Sequence, residues 1–360
     1  MIDTRSWTLL HTKIHRTIRE RHLFQRHQNL LLAVSGGQDS LCLSKLLLDL
    51  QAKWGWQLGI VHCDHRWRND SEANANHVAN LAEIWGIPFY LETATETIDS
   101  EASARNWRYK VLSKIAKENN YECILTGHTA SDRAETLLYN LIRGTGADGL
   151  QALTWKRPLI DDITEKTFLV RPLLEITRTQ TQEFCQEFQL PVWEDSTNQD
   201  LKYARNRIRQ ELLPYLRENF NPKAESVLAQ TAEILQAEVE YLEEAATQLR
   251  QEALNNSKFK IPFGKTSGLQ NSKLGSGELG VGIGDKRVIK LNRQILKKAP
   301  LALQRRVMRQ VLQEILPSSP NFEHIEKLTA LITAPNRSQT DPFPGGVIAK
   351  VENEWIWIGE

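Results

Sequence analysis

Cysteine is sparse and scattered in this chain. Cys42, Cys63, Cys123 and Cys185 form no CxxC pair, so neither a zinc ribbon nor a disulfide framework is indicated, and they read as buried thiols. No run of about 18 apolar residues exists to span a bilayer. The N-terminal segment mixes Trp7 and Leu9 with Arg16, Arg19, Glu20 and Arg21 and lacks the order of a signal peptide. The expectation is a cytoplasmic protein with no membrane attachment. No internal repeat signals a solenoid. Neither charge sign dominates, with 45 Lys and Arg against 44 Asp and Glu. What is left is an average globular composition over 360 residues, enough for roughly two to three domains.

The charge balance breaks locally. From Lys286 to Arg309 the basic residues Lys286, Arg287, Lys290, Arg293, Lys297, Lys298, Arg305, Arg306 and Arg309 occur with no acid among them. Such a stripe is either a solvated face or a surface for a polyanion. A smaller excess lies at Lys202, Arg205, Arg207 and Arg209, and the compensating acids sit mostly between Glu233 and Glu252.

Strand and helix patterns alternate along the first half. A buried strand is expected at Leu30–Val34, a helix from about Ser40, a strand at Leu58–His62, a helix at Ala73–Trp85 and a strand at Phe89–Glu92. A helix at Ala102–Asn119, a strand at Cys123–Thr126 and a helix at Arg133–Arg143 follow. This predicts an α/β fold with a parallel, Rossmann-like sheet, whose ligands bind beyond the carboxyl ends of the strands. Ser35–Ser40, His62–His65 and Gly127–Asp132 all fall there. A less regular stretch reaches Tyr215, with a boundary near Phe220. Ala224–Leu254 reads as one long connecting helix, and Ser257–Gly284 as a Gly/Ser/Asn-rich insertion. Helices at Leu301–Leu316 and Glu323–Ile332 and a strand pair around Gly345–Ile358 complete a smaller α+β domain. The expected division is 1–217 catalytic, 218–255 helical connector and 256–360 C-terminal.

Ser35-Gly36-Gly37-Gln38-Asp39-Ser40 lies between strand and helix, where glycines let backbone N–H groups approach an anion at a helix N-terminus. Phosphate or pyrophosphate is the natural occupant; a plain capping turn is the alternative. The loop is neither a Walker A nor a GxGxxG motif. A GxGxxG string at Gly144, Gly146 and Gly149 follows a helix rather than a strand and is set aside.

SGGQDS after a buried strand resembles the signature of the ATP pyrophosphatases. With it stand VHCDHRWRNDS (Val61–Ser71), ARNWRY (Ala104–Tyr109), LTGHTASDRAETLLYNLIRGTGADGL (Leu125–Leu150) and WEDSTNQDLKYARNRIR (Trp193–Arg209). Together these motifs resemble the bacterial tRNA(Ile)-lysidine synthase family, densely through residue 217 and more loosely beyond, where the basic helical segment and the PFPGG and WIWI strings look like a tRNA-binding domain. The resemblance implies that ATP, with Mg2+, adenylates the C2 oxygen of the wobble cytidine of tRNA(Ile) with a CAU anticodon. The side-chain amine of free L-lysine then displaces AMP, which changes codon reading to AUA and identity to isoleucine.

It also implies roles. Ser35, Gly36, Gly37, Gln38, Asp39, Ser40 and His62 are assigned to ATP, with Asp39 on the magnesium side and helix capping as its alternative. Asp39, Arg105 and Asp132 are the catalytic candidates. Asp132 and Glu135 are assigned to lysine, with an ordinary helix-start charge as the alternative for Glu135, and His128 to ATP or the lysine carboxylate, with a hydrogen-bonded structural histidine as its alternative. For Arg105 the alternative is an i, i+4 pair with Glu101. Arg205, Arg207, Arg209, Lys297, Lys298, Arg305 and Arg306 are assigned to tRNA, with Asp195 positioning an arginine. Trp193 stacks on a base or packs in the core; Trp355 and Trp357 read as one apolar strand face. His62, Asp64 and His65 lack a fourth ligand for zinc. A tRNA thiolase would share the loop but calls for cysteines this chain does not pair, and a catalytically idle tRNA-binding protein would not call for an intact SGGQDS. The oligomeric state is left open, a homodimer included.

Overall fold

The computed structural model describes residues 7–67, 70–95, 100–159, 167–194, 200–255 and 288–359. The Ser257–Gly284 insertion and Asp195 lie outside these. Two compact units divide between Gln236 and Ala237. No helix among the described residues is long and apolar enough to cross a membrane.

The first unit opens with helix α1 (Leu9–Glu20). Strands β1 (Asn29–Ala33), β2 (Gln57–Asp64), β3 (Phe89–Thr93) and β4 (Cys123–Thr126) alternate with helices α2 (Gln38–Trp54), α3 (Ser71–Trp85), α4 (Glu101–Glu118) and α5 (Ala130–Ile142). After the short α6 (Ala147–Leu150) come β5 (Lys156–Pro158), β6 (Phe168–Val170) and helix α7 (Arg178–Glu187). The sheet order is β3-β2-β1-β4-β6-β5, parallel throughout except for the antiparallel edge strand β5.

Strand β1 shows why its sequence is a leucine run. Successive side chains point to opposite faces, and both faces are covered. Leu30 and Leu32 enter the larger core with Leu41, Leu46 and Leu50 of α2, while Leu31 packs on the other side with Leu112 and Ile115 of α4. The parallel α/β expectation therefore holds. Helix α2 begins at Gln38 rather than Ser40, with Gly37 as its N-cap, and α5 begins at Ala130, capped by Thr129.

The stretch read as irregular contains β5, β6 and α7. It continues into α8 (Ala204–Arg207), a π-helical turn at Ile208–Leu212 and α9 (Leu213–Asn219). Ala134 and Leu138 of α5 pack with Ile208 and Leu213, which fixes that turn against α5. Helix α10 (Ala224–Asn255) spans the division between the units. In the first unit its Glu233 accepts from the buried Arg133 at 2.5 Å and from Trp155 at 2.6 Å.

The second unit joins the rest of α10 to β7 (Ile289–Asn292), α11 (Arg293–Lys297), α12 (Leu301–Ile315), α13 (Phe322–Ala330), β8 (Ile348–Glu352) and β9 (Trp355–Gly359). Its antiparallel sheet has the order β7-β9-β8. Ile356 and Ile358 of β9 face the core. Trp355 and Trp357 take the opposite, half-exposed face, where Lys290 lies 4.1 Å and 4.6 Å from their ring centres. They share a face as expected, but the isoleucines, not the tryptophans, form the core face.

Candidate active site

The carboxyl ends of β1, β2, β4 and β6 make one edge of the first unit's sheet. The loop after β1 is built for close approach. Gly36 has φ +86°, and a Cβ there would meet Asn74 Oδ1 at 2.4 Å. Asn74 of α3 in turn donates to the Ser35 carbonyl at 3.0 Å, and the Gly36 carbonyl accepts from the Trp193 amide at 3.0 Å. Gly127, just past β4, packs so near that a Cβ would lie 2.8 Å from the Asp39 backbone. Ser35 and Ser40 face each other at 3.3 Å, and the Ser40 hydroxyl donates to the Gly37 carbonyl at 2.8 Å. The result is a tight turn of backbone amides at the N-terminus of α2, where the helix dipole favours an anion. His62 sits behind it, buried, its ring bonded to the Val34 carbonyl at 2.8 Å.

Three acidic side chains meet beside this loop, and one arginine joins them. Arg178, the first residue of α7, donates from Nε to Asp39 at 3.1 Å, from Nη2 to Asp132 at 3.0 Å and from Nη1 to Glu135 at 3.3 Å. Thr181, one turn on, donates to the other oxygen of Asp39, and Gln38 donates to the Arg178 carbonyl at 2.7 Å. Arg209 approaches from the π-helical turn, gripping Glu135 with Nε at 2.7 Å and Nη2 at 2.8 Å and reaching Asp132 at 3.4 Å. Asp132 is also the third residue of a capping box, its Oδ2 accepting from the amide and hydroxyl of Thr129, both at 2.8 Å.

These neighbours set the protonation states. Burial works to raise the Asp132 carboxyl, but Arg178, His128, the Thr129 amide and Arg209 together hold it below its ordinary value. Burial wins at Asp39 and at Glu135, which both lie above theirs; nearby Asp132 adds to the rise in each case. Arg178 is raised, since three carboxylates outweigh its own desolvation. Burial draws His128 down to about 4, so the imidazole is neutral at pH 7; its Nδ1 lies 2.8 Å from the Thr126 hydroxyl.

The sequence assignments thus separate into groups. Ser35–Ser40, His128, Asp132 and Glu135 come together at one edge. The Gln38 side chain is engaged with α7. Arg105 and Arg108 are exposed on α4, close enough to act on the His128 charge, and Arg105 lies over the Tyr109 ring at 5.4 Å. Trp193 is half-buried against His77 and donates to Asp70 at 3.2 Å. Arg205 lies over Tyr139 at 5.7 Å and Arg207 is exposed. Arg209, assigned with them to RNA, points instead into the carboxylate cluster. Sequence reading missed Arg178, Thr181 and Asn74, because they reach the loop from distant elements and belong to no motif quoted for it.

In the second unit Lys297 and Lys298 are exposed. Arg305 instead makes a two-pronged pair with Glu326 at 2.6 Å and 2.9 Å, and Arg306 and Arg309 both donate to Glu243. The stripe that is free of acids in sequence meets acids from α10 and α13 in space.

A mostly parallel sheet with a glycine-rich turn at a helix N-terminus and carboxylates beside it is a nucleotide-phosphate site of the Rossmann-like class. Residues 8–216 match the PP-loop domain family, and residues 291–357 match the TilS substrate binding domain. The chain is 69% identical to tRNA(Ile)-lysidine synthase of Nostoc sp., over 97% of this chain and 96% of that protein. It is 46% identical to the Synechocystis sp. enzyme of that name, covering 98% of both, and 36% identical to the chloroplastic one of Zygnema circumcarinatum, over 91% and 81%. The chain belongs to the tRNA(Ile)-lysidine synthase family of carbon–nitrogen ligases. In fold it is also similar to the U34-tRNA thiolase NcsA of Methanococcus maripaludis, with a TM-score of 0.54 at 15% identity, over 63% of this chain and 77% of that one.

Proposed function

We propose that the first unit adenylates the wobble cytidine of a tRNA(Ile) bearing a CAU anticodon and joins free L-lysine to it, and that the C-terminal domain, 256–360, serves tRNA binding. The observation that carries this reading is the carboxylate pair of half-buried Asp132 and buried Glu135 beside the phosphate loop, already holding two guanidiniums. Such a pair suits an organic cation placed next to an activated phosphate.

In the first step the C2 oxygen attacks the α-phosphorus of ATP and pyrophosphate leaves. The amides of Gly36 and Gly37 and the α2 dipole stabilise the charge on that leaving group. In the second the lysine amine attacks C2, and the C2 oxygen departs with AMP. The incoming ammonium must first lose a proton. Asp132 stays ionised and suits binding the ammonium; Glu135, raised by burial, is better matched to accept the proton. Arg105 meets the charge on the adenylated base.

Mg2+ favours oxygen ligands and is held by one or two carboxylates together with substrate phosphates. Asp39 and Asp132 fit, because Asp39 feels the charge of Asp132 and burial has raised Asp39. Among the described residues no group of three or more His, Cys, Asp or Glu could hold a metal, so the phosphates would complete the coordination. Bound there, the ion would neutralise pyrophosphate charge.

The test is incorporation of labelled lysine into an unmodified tRNA(Ile) transcript with ATP and magnesium, against a methionine tRNA with the same anticodon. Label in the isoleucine transcript alone is expected. Release of AMP without label would retain adenylation and reject lysine as nucleophile.

A further inference from the structure

A second group of cations stands at the same sheet edge with no carboxylate beside it among the described residues. Arg171 follows β6 directly, and β6 runs parallel to β4 with Val170 opposite Leu125, so Arg171 emerges beside the segment leading to His128. It is 2% exposed. Its Nη1 donates to the Thr154 carbonyl at 2.7 Å and it feels the charge of Tyr109, but its buried Nε has no hydrogen-bond partner. Arg157 of β5 lies 5.1 Å from the centre of the Tyr109 ring, and Arg105 of α4 lies 5.4 Å from it. The charges that act on Arg171 come from Tyr109, Arg157 and Arg105. Desolvation and these like charges bring Arg171 down to about 10. Burial works to raise the Tyr109 phenol, yet the three arginines hold it below its ordinary value. Three guanidiniums around one phenol repel one another, and an anion bound among them would offset that repulsion.

We propose that Arg157 and Arg171, gathered with Arg105 around Tyr109, form a binding site for a backbone phosphate of the RNA substrate, with Arg105 left facing the adenylated base. The site lies two strands along from the loop that follows β1, so it is separate from the phosphate loop for ATP. The ligand is RNA rather than the carboxylate of free lysine because the cluster joins two further exposed cations one turn apart on α4, Arg105 and Arg108. A single guanidinium fork satisfies a carboxylate, whereas a strip of cations follows a phosphodiester chain. Placing a phosphate here would orient the wobble nucleotide relative to His128 and Asp132. The inference rests on tRNA being the substrate.

The experiment measures binding of the tRNA transcript to the full chain across a salt series, without ATP or lysine, for the wild type, Arg157→Gln and Arg157→Lys. Arg157→Gln is expected to weaken binding about tenfold at low salt. It should also shrink the slope of log affinity against log salt by about 0.7 to 0.9, with Arg157→Lys keeping the wild-type slope. The KM values for lysine and ATP should not move. An unchanged salt slope overturns the proposal, whether KM for lysine rises, which would make this an amino-acid carboxylate site, or nothing changes, which would make the cluster structural. If Arg157→Gln does not fold, Tyr109→Phe removes only the hydroxyl around which the three arginines gather, and unchanged tRNA affinity in that variant overturns the proposal equally. Failure of the wild type to incorporate lysine would reject the proposed reaction and leave the salt-slope result standing.

Discussion

Arg178 is the residue on which the candidate site converges. One planar guanidinium meets carboxylates from the first turn of α2 and from the first two turns of α5, and a lysine could not reproduce its three directions. Arg178→Met should leave those carboxylates without their shared partner, lowering unfolding stability by about 2–3 kcal/mol. It should also cut tRNA-dependent AMP release by at least about 100-fold. Urea denaturation and single-turnover assays measure the two effects, and a variant with wild-type AMP release would remove Arg178 from the catalytic account. His128 gives a pH-dependent counterpart. Its folded pKa is about 4 against 6.5 for an ordinary histidine. Between those values the unfolded chain binds more protons, so this contribution to stability is complete above about pH 6.5 and is lost as pH falls toward 4. His65, also drawn to about 4 by burial, adds a second contribution of the same sign. Denaturant midpoints should therefore fall steadily from pH 7 to pH 4.5, and His128→Gln should flatten that decline.

At the scale of elements, the capping box of α5 couples helix formation to the position of a functional carboxylate. Thr129 and Asp132 satisfy one another's backbone groups, so the oxygen of Asp132 that faces Arg178 is aimed by the helix start. Thr129→Ala should cost about 1 kcal/mol, seen in the urea midpoint, and should raise KM for lysine more than KM for ATP. Equal effects on both would mean that the cap serves only the helix. The same scale explains what could be read in the sequence. β1, β2 and β4 were legible because strands buried on both faces are continuous apolar runs, and α2 because Leu43, Leu46, Leu47 and Leu50 recur at helical spacing. β5 and β6 span three residues each, too short for any period to show. α7 buries only Thr181, Phe184 and Cys185, a weak stripe in a polar segment. The glycine loop and Asp132 were visible as local motifs, whereas Arg178 acquires its role only when α7 folds back on the loop, which no local pattern announces.

At the scale of the whole molecule, linear charge is a poor guide to the surface that remains for RNA. In the second unit the run from Lys290 to Arg309 meets Glu243 and Glu326, which reach it from α10 and α13. Arg306 and Arg309 share Glu243, and Arg250 of α10 pairs with Glu314 of α12. These contacts join α10 and α12 around the core that contains Met308 and Val311. Lys297 and Lys298 end the short helix α11 on the exposed side. The two sets of cations should therefore separate on substitution. Exchanging Lys297 and Lys298 together for Gln should leave the melting temperature unchanged and reduce the salt slope of tRNA binding by about 1 to 2, roughly one phosphate contact for each lysine. Arg306→Gln should do the reverse. It breaks a largely buried pair and should lower stability by about 1–2 kcal/mol, while the salt slope stays near that of the wild type. Thermal denaturation and filter binding on the same preparations discriminate the two outcomes. A loss of stability in the lysine variant, or a reduced slope in Arg306→Gln without destabilisation, would reverse the assignment and make the arginine row the RNA-facing surface.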